Sequence, residues 1–235
     1  MRHILLIALA GIALNAVAQL PGAVFHYDFR KDAKVDLQSG AAVADGALKL
    51  NGKGDFAYVP NSGNMHLTET GMTLVATVRM SENGVTGGAN DSHDMFLSKG
   101  KEFIFGRSTD NIYFNFNDGK DWCATTMAKG CTASAKWMQY AAVVERFNDR
   151  AQGFVGYRCL IYANGELVTA MRFLGVNPRP VEDLVEIGKG FGGGPWFFCG
   201  DIATVSMYDR PLTPNEIDKL AISETLVKIE RKGFS

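Results

Sequence analysis

The acidic residues with the most suggestive spacing are Glu182, Asp183 and Glu186, which lie within five consecutive positions. Hydrolysis of a glycosidic bond needs two carboxyl groups facing each other, about 5 to 10 Å apart, one acting as acid and the other as nucleophile or base. Adjacent residues of a strand point to opposite faces, so Glu182 and Asp183 cannot share one face. The spacing of these acids therefore predicts charged loop residues that precede a strand. Glu145, near the end of another strand, is the alternative catalytic residue, and it has no evident partner in the sequence.

Other catalytic arrangements find no support in the sequence. His26, His66 and His93 do not stand beside an obvious nucleophile, and no G-x-S-x-G pattern occurs. The glycine-rich run 188–194 lacks the Lys-Ser/Thr pair of a phosphate-binding loop, and no helical pattern follows it. This run is therefore predicted to be a loop at the edge of the fold.

Two groups of side chains have the chemistry to bind a polyhydroxylated ligand, which needs an aromatic platform and a few hydrogen-bonding groups. The first group is Trp196, carried with Phe197 by the glycine-rich loop, and Trp122, beside Asp121. The second is predicted on the more polar faces of strands and comprises Arg79, Tyr113, Asn115, Arg158 and Arg172. The alternative interpretation is that the tryptophans close the rim of the core and that the arginines are solvated.

The N-terminal residues predict export of the chain. Arg2 precedes an apolar run from Ile4 to Leu14, and Ala16-Val17-Ala18 has the small-x-small pattern of a signal-peptidase site. About a dozen apolar residues are too few to span a bilayer, which needs roughly 20. We expect residues 1–18 to be a signal peptide, with a periplasmic, cell-surface or secreted product that does not insert into a membrane.

The predicted mature chain, residues 19–235, has the size and charge of a single globular domain. Loss of Arg2 from 24 basic residues, against 25 acidic ones, leaves a net charge near −2. No basic field is present that would favour nucleic acid. All-β domains of about 200–250 residues are common, so one core can account for the whole length.

The four cysteines favour disulfide bonds, because an even number in an exported chain commonly pairs. Local sequence favours a bond between Cys123 and Cys131 that closes a short loop. Cys159 and Cys199 are then expected either to pair or to remain buried thiols on adjacent strands. No CxxC spacing occurs and no histidine lies near a cysteine, so the sequence does not indicate zinc.

About a dozen short strands with turn residues between them predict an antiparallel sandwich or jelly roll. The clearest alternation lies in 72–80 and 111–116, where every second residue is apolar. Asn164-Gly165 predicts a type I′ hairpin turn. The segment 121–125 is included among the predicted strands, and 81–94 is predicted to be a long polar loop.

The closing segment of the chain predicts a strand followed by a helix. Residues 202–208 are apolar and β-branched, and Thr213, Pro214 and Glu216 form a capping box with proline at the first helical position. The tail 223–235 fits either an extra edge strand or an extension of the helix.

Several segments, in this order, give the chain a resemblance to laminin-G-like domains of the concanavalin A-like lectin/glucanase superfamily. They are 27–29, 54–60, 72–79, 97–100, 137–145, 161–165, 187–188 and 200–220. The resemblance implies an all-β, concanavalin A-like antiparallel sandwich with one short C-terminal helix. Two curved sheets of six or so strands each are implied, with a concave face that often binds carbohydrate.

The resemblance also implies calcium as a structural cofactor. Calcium needs several oxygen ligands, and Asp28 and Asp201 lie near the two terminal strands that pair in this family. The predicted loop offers Asn90, Asp91 and Asp94, although solvated loop charge is an alternative explanation. The resulting hypothesis is a secreted, non-catalytic domain whose partner is an oligosaccharide or polysaccharide. A glycoside hydrolase and a protein-interaction or adhesion domain are the alternatives.

Overall fold

The structure is a computed structural model that describes residues 20–31, 33–82, 93–151, 153–190 and 196–221. The predicted signal peptide 1–18, the loop residues Asn90 and Asp91, and the tail 223–235 lie outside the described residues. Within them, most of the chain forms short antiparallel strands in two sheets.

Sheet A has eight strands in the described part of the chain. They are β1 (Phe25–Asp28), β3 (Ala42–Ala44), β4 (Ala47–Asn51), β6 (Gly71–Met80), β11 (Trp137–Asp149), β12 (Phe154–Ala163), β13 (Glu166–Leu174) and β15 (Cys199–Tyr208). Their order is β13-β12-β11-β6-β15-β4-β3, and β1 also pairs with β15.

Sheet B has seven strands in the same described ranges. They are β2 (Asp36–Gln38), β5 (Phe56–Tyr58), β7 (His93–Lys99), β8 (Phe103–Ser108), β9 (Asn111–Phe116), β10 (Thr126–Lys129) and β14 (Val185–Ile187). Their order is β10-β9-β8-β7-β14-β5-β2.

The core lies between the two sheets, as the alternation of β6 and β9 predicts. Met72, Leu74, Ala76 and Val78 of sheet A join one buried cluster with Ile112, Phe114 and Phe116 of sheet B. The rings of Phe96 and Tyr140 stack across the sandwich with centroids 5.8 Å apart. The Tyr140 hydroxyl donates to the Cys131 carbonyl at 2.8 Å, which satisfies its polar atom inside the core.

The first and last strands pair directly, which confirms the expected closure of the sandwich. Tyr27 lies opposite Val205 in the antiparallel ladder between β1 and β15. The two chain segments are about 180 residues apart in sequence, so this pairing unites both ends of the described chain in one sheet.

The closing helix α1 (Pro214–Leu220) has the predicted capping box. The Thr213 hydroxyl accepts from the Glu216 amide, and the Glu216 carboxylate accepts from the Thr213 amide at 2.8 Å. Ile217 and Leu220 are buried on the outer face of sheet A, where "outer" means the face turned away from the other sheet. Among the described residues, no helix has the length and apolar composition needed to span a bilayer.

The hairpin turn between β12 and β13 is confirmed, since Asn164 and Gly165 have φ of 46° and 85°. Two other expectations are corrected here. The sheets hold eight and seven strands rather than about six each. The additional β2 and β3 are short and largely exposed, so their sequences carry little alternation. His93 and Asp94 begin β7 rather than ending a loop.

The segment 121–125 was expected to be a strand, and this is wrong. The only ladder contact described for it is an isolated bridge between Asn117 and Trp122. The Asp118 carboxylate accepts from the amides of Lys120 and Asp121 at 2.9 and 3.0 Å, and the Asp121 carboxylate accepts from the Trp122 amide. These local bonds hold the backbone in a turn, and the strand begins only at Thr126.

Candidate functional site

The outer face of sheet B carries an apolar and aromatic surface. Because Ile112, Phe114 and Phe116 point into the core, the intervening Tyr113 and Asn115 of β9 point outward. The ladder places Tyr113 opposite Gly106 of β8 and Met127 of β10. Three side chains are buried on this face, Met95, Ile104 and Tyr113, and three partly buried ones pack on them, Trp122, Met127 and Trp196.

His93 links these side chains into one aromatic cluster. The Trp196 indole stacks on the His93 imidazole, with centroids 5.0 Å apart and planes at 30°. His93 in turn meets Tyr113 edge to face, with centroids 5.4 Å apart. We call Trp196, His93, Tyr113 and Trp122 the aromatic surface. Burial lowers the pKa of His93, so its ring is neutral at pH 7.

Gly190 holds Trp196 close to the sheet. Its amide donates to the Trp196 carbonyl at 3.0 Å. A Cβ at Gly190 would lie 2.7 Å from Cε3 of the indole, so any other residue there would displace the ring. Glycine is therefore required at position 190, because the Trp196 ring lies so close to the backbone there.

Asn115 ties the strand to the segment that carries Trp122. Its amide nitrogen donates to the Tyr113 hydroxyl at 3.0 Å and to the Thr125 hydroxyl at 2.8 Å. Its oxygen accepts from the Ala124 amide at 2.8 Å. Asn115 is 1% exposed, so it positions the surface from below and does not itself face solvent.

A charged cluster continues the same face toward β5 and β14. The Lys189 ammonium lies 4.3 Å from the centroid of Phe56 and 2.6 Å from the Glu186 carboxylate. Ser98 donates to the other Glu186 oxygen at 3.2 Å. Burial raises the pKa of Glu186, and the interaction with Lys189 opposes that effect. Tyr58, Asp183 and Glu186 border a cavity of about 180 Å³ at this end of the sheet.

A buried ion pair lies beneath the start of β7. Arg107 donates to the Asp94 carboxylate at 2.6 Å, and both side chains point to the inside of the sandwich. Burial raises the pKa of Asp94 to about 6, because desolvation outweighs the attraction of Arg107. Asp94 was an alternative calcium ligand, and the structure gives its carboxylate an arginine partner.

Arg79 and Arg158, which the sequence grouped with Tyr113 and Asn115, lie on the opposite side of the molecule. Both are on the outer face of sheet A. Arg79 bonds the Asp201 carboxylate through Nε at 3.0 Å and lies over the Trp137 ring, 5.0 Å from its centroid. Arg79 and Asp201 border a cavity of about 600 Å³ at the rim of this sheet. Arg172 lies opposite Arg158 in the same sheet, so none of the three predicted arginines contributes to the aromatic surface.

Glu145, the alternative catalytic residue, is on the same outer face of sheet A. It forms an ion pair with Arg158, its cross-strand neighbour on β12. Its neighbour on β6 is Gly71. The two residues that the ladder places opposite Glu145 are thus a cation and a glycine, and neither provides the second carboxylate of a hydrolase.

The predicted calcium ligands have cationic partners. Arg30 binds both oxygens of Asp28, at 2.7 and 2.8 Å. Arg79 and Lys49 bind Asp201, with Lys49 at 3.4 Å. Among the described residues, no three His, Cys, Asp or Glu side chains form a group that could hold a metal ion. These two carboxylates fit ion pairs better than a calcium site, and calcium binding stays a prediction.

The four cysteines are free thiols in the structure, and the disulfide bonds stay a prediction. The Cys123 thiol donates to the Phe116 carbonyl at 3.5 Å, and the Cys131 thiol donates to the Ala128 carbonyl at 3.0 Å. Cys159 is buried in the core, and burial raises its pKa to about 12. Cys199 begins β15 at the rim cavity, so it is not a core thiol beside Cys159.

The comparison with family models identifies the fold family. A laminin-G model, described as concanavalin A-like lectin/glucanases superfamily, matches residues 51–218. The chain belongs to this superfamily. A search of curated proteins finds no match. As a member of the superfamily, the chain is expected to share the two-sheet sandwich, and the structure has it.

Solved structures similar to this superfamily member include two domains with a bound oligosaccharide. One is the CBM40 of the Ruminococcus gnavus IT-sialidase bound to α2,3-sialyllactose, 14% identical, covering 85% of this chain and 100% of that chain, with a TM-score of 0.57. Another is domain 4 of AbnA, an extracellular GH43 arabinanase from Geobacillus stearothermophilus, in complex with arabinotriose. It is 17% identical, covers 85% and 98% of the two chains, and has a TM-score of 0.56.

A third similar structure is the receptor-binding domain of the botulinum neurotoxin C/D mosaic serotype. It is 12% identical, covers 84% of this chain and 50% of that chain, and has a TM-score of 0.58. At these identities the likeness concerns the fold alone.

The structure brings together four of the six predicted ligand-binding residues, Tyr113, Asn115, Trp122 and Trp196. Sequence reasoning missed His93, which it weighed only as a catalytic base, and Lys189 with Phe56. The sequence could have placed His93 on this face, because His93 precedes Met95 by two positions and alternate residues of a strand share a face. The stacking of Trp196 on His93 had no signal, because it depends on a loop about 100 residues away.

Proposed function

We propose that this chain is an exported, non-catalytic carbohydrate-binding domain that holds its ligand on the outer face of sheet B. The observation that carries the proposal is the stack of Trp196 on His93, supported by Tyr113 and flanked by Trp122. Aromatic rings at a partly exposed surface suit the apolar face of a sugar ring, because they bury C–H groups without leaving polar atoms unpaired.

The polar part of the same face supports recognition of hydroxyl groups. Lys189 and Glu186 form an ion pair beside Phe56, so a donor and an acceptor lie next to an aromatic ring. Saccharide hydroxyls both donate and accept, and a fixed ion pair meets both needs. The oligosaccharide-bound domains among the similar structures also support a glycan as the ligand.

A non-catalytic role is supported by the position of Glu145, the alternative catalytic residue, away from the aromatic surface. Glu145 lies on the outer face of sheet A with Arg158, whereas the aromatic surface is on sheet B. On sheet B, Glu186 is held by Lys189 and Ser98. We therefore expect binding without turnover. The export of the domain is supported by the composition of residues 1–18, which have the pattern of a signal peptide.

A glycan array with the purified chain tests the proposal. We expect one class of plant or host oligosaccharide to bind and to be recovered intact after incubation. Absence of binding across such an array would overturn the proposal. Release of shortened saccharides, abolished by Glu145→Gln, would instead support the glycoside hydrolase.

A further inference from the structure

The edge strand β13 carries an unusual concentration of exposed apolar side chains. Among the described residues, six large apolar side chains are exposed, and four of them belong to β13: Leu167, Val168, Met171 and Leu174, between 40% and 53% exposed. β13 is the last strand of sheet A, and on its far side no other strand of the described chain pairs with it. Such an edge offers both apolar contacts and free backbone donors and acceptors.

The strand lacks the residues that normally keep an edge from pairing. It contains no lysine and no proline, and its charged residues are one acid, Glu166, and one base, Arg172. Its charges therefore sum to zero, and a second copy of the strand would not be repelled. The ladder has a register shift at Ile161/Tyr162, near the start of β13, and is regular from Thr169 to Leu174. The regular part is long enough to accept a partner.

We propose that β13 pairs with β13 of a second copy of this chain in an antiparallel, two-fold symmetric dimer. In the register that matches the faces of the two strands, Met171 lies beside Met171 of the second copy. Leu174 then lies beside Val168, and Arg172 beside Ala170, so no like charges meet. Met171 is opposite the buried Cys159, so it lies on the face of β13 that is turned toward sheet B. Arg172 is opposite Arg158, so it lies on the outer face.

The interface is expected to be weak. One strand pair and four apolar side chains per copy bury less than the roughly 1,200 Å² of a standard interface. The dimer should therefore form at high local concentration and dissociate in dilute solution.

Dimer geometry would place both aromatic surfaces on the same side. A two-fold axis that relates neighbouring antiparallel strands runs perpendicular to the sheet, so it carries each sheet B to the same side of the continuous sheet A. This consequence rests on the proposed glycan site. The dimer would then hold two sites facing one glycan surface, and bivalent attachment strengthens retention without new contacts at each site.

Sedimentation velocity of the full chain, from about 1 µM to several hundred µM, tests the dimer without any glycan. We expect the mass to rise from monomer to dimer in the wild type. The variant Met171→Lys/Leu174→Lys should stay monomeric with an unchanged circular dichroism spectrum. The matched control Leu37→Lys/Val43→Lys alters exposed apolar residues of β2 and β3, and it should dimerise as the wild type does.

A wild type that remains monomeric throughout, or a β13 variant that still dimerises, would overturn the proposal. If the wild type is monomeric but the outward amides of β13 resist hydrogen exchange, another part of the chain covers the edge, which also overturns it. Once a glycan ligand is known, the β13 variant should lose at least tenfold in retention on a dense glycan surface and keep its affinity for the soluble oligosaccharide. Equal retention would contradict the shared orientation of the two sites and leave the single-site function intact.

Discussion

Trp196 and His93 stack face to face although they belong to segments about 100 residues apart, with their ring centroids 5.0 Å from each other. The imidazole also meets the Tyr113 ring edge to face. The outer face of sheet B therefore presents a preformed aromatic surface, whose rings a ligand would not need to order on binding. Preorganisation of this kind lowers the entropic cost of binding.

Replacement of Trp196 by alanine should weaken glycan binding by about tenfold or more, since loss of one stacked aromatic ring costs about 1–3 kcal/mol. Calorimetric titration with a saccharide identified on an array measures the effect. Trp137→Ala is the matched control, because Trp137 lies under Arg79 on the other sheet. Equal weakening by both substitutions would point to a loss of stability rather than of a binding contact.

Acidification should stabilise the fold through Asp94. Its pKa is raised from 3.8 to about 6, so between these values the folded chain binds a proton that the unfolded chain does not. The resulting gain in the free energy of unfolding is absent above pH 6. It grows as the pH falls and reaches about 2 kcal/mol at pH 4.5. We expect urea denaturation at pH 7 and pH 4.5 to reveal it as a difference between the wild type and Asp94→Asn.

His93 contributes with the opposite sign, because its lowered pKa makes the folded state resist protonation. This effect is common to the wild type and Asp94→Asn, so it cancels in the comparison. A free-energy difference between the two proteins that does not change with pH would show that Asp94 titrates normally.

Loss of the Asn115 side chain should destabilise the domain by about 1–3 kcal/mol, because the Ala124 amide and the Tyr113 and Thr125 hydroxyls would lose a buried partner. Asn115→Ala is compared with Asn111→Ala in thermal and urea unfolding. Among the described residues, the Asn111 side chain bonds Ser108 and Thr109 near the surface, so its removal should cost less than about 0.5 kcal/mol. Similar costs for the two variants would contradict the positioning role of Asn115.

The state of the four thiols can be tested by chemical labelling. Protein unfolded in denaturant without reductant should react with a thiol reagent at all four cysteines. In the folded protein, Cys159 should be unreactive, since burial raises its pKa to about 12 and shields its sulfur. Two reactive thiols in the unfolded protein would show that one disulfide forms, and mapping the labelled cysteines would tell whether it joins Cys123 and Cys131.

The fold could be predicted from the sequence where alternation and local signals agree. The core face of β6, the turn at Asn164-Gly165 and the capping box at Thr213 depend on nearby residues, and all three are confirmed. The segment 121–125 looks like a strand by composition, yet two aspartates close turns with its own amides. Local side-chain bonds competed successfully with strand pairing there.

The candidate site was only partly predictable, because it depends on which sheet each strand joins. Arg79 and Tyr113 both lie on non-core faces of their strands, and alternation cannot tell that these faces belong to opposite sides of the sandwich. The ion pairs of Asp28 and Asp201 with arginines could likewise not be distinguished from calcium ligation without the strand order.

The central claim is that the glycan site lies on the outer face of sheet B. NMR spectra of the methionine methyl groups, recorded while a saccharide that binds is titrated into the protein, test it most directly. Met95 and Met127 lie against the aromatic surface, whereas Met72 and Met80 are buried in the core between the sheets. Ligand contact with Trp196 and its neighbours should shift the Met95 and Met127 signals through changed ring currents and leave those of Met72 and Met80 in place. Saturable binding that leaves the Met95 and Met127 signals unmoved would contradict a glycan site on the outer face of sheet B.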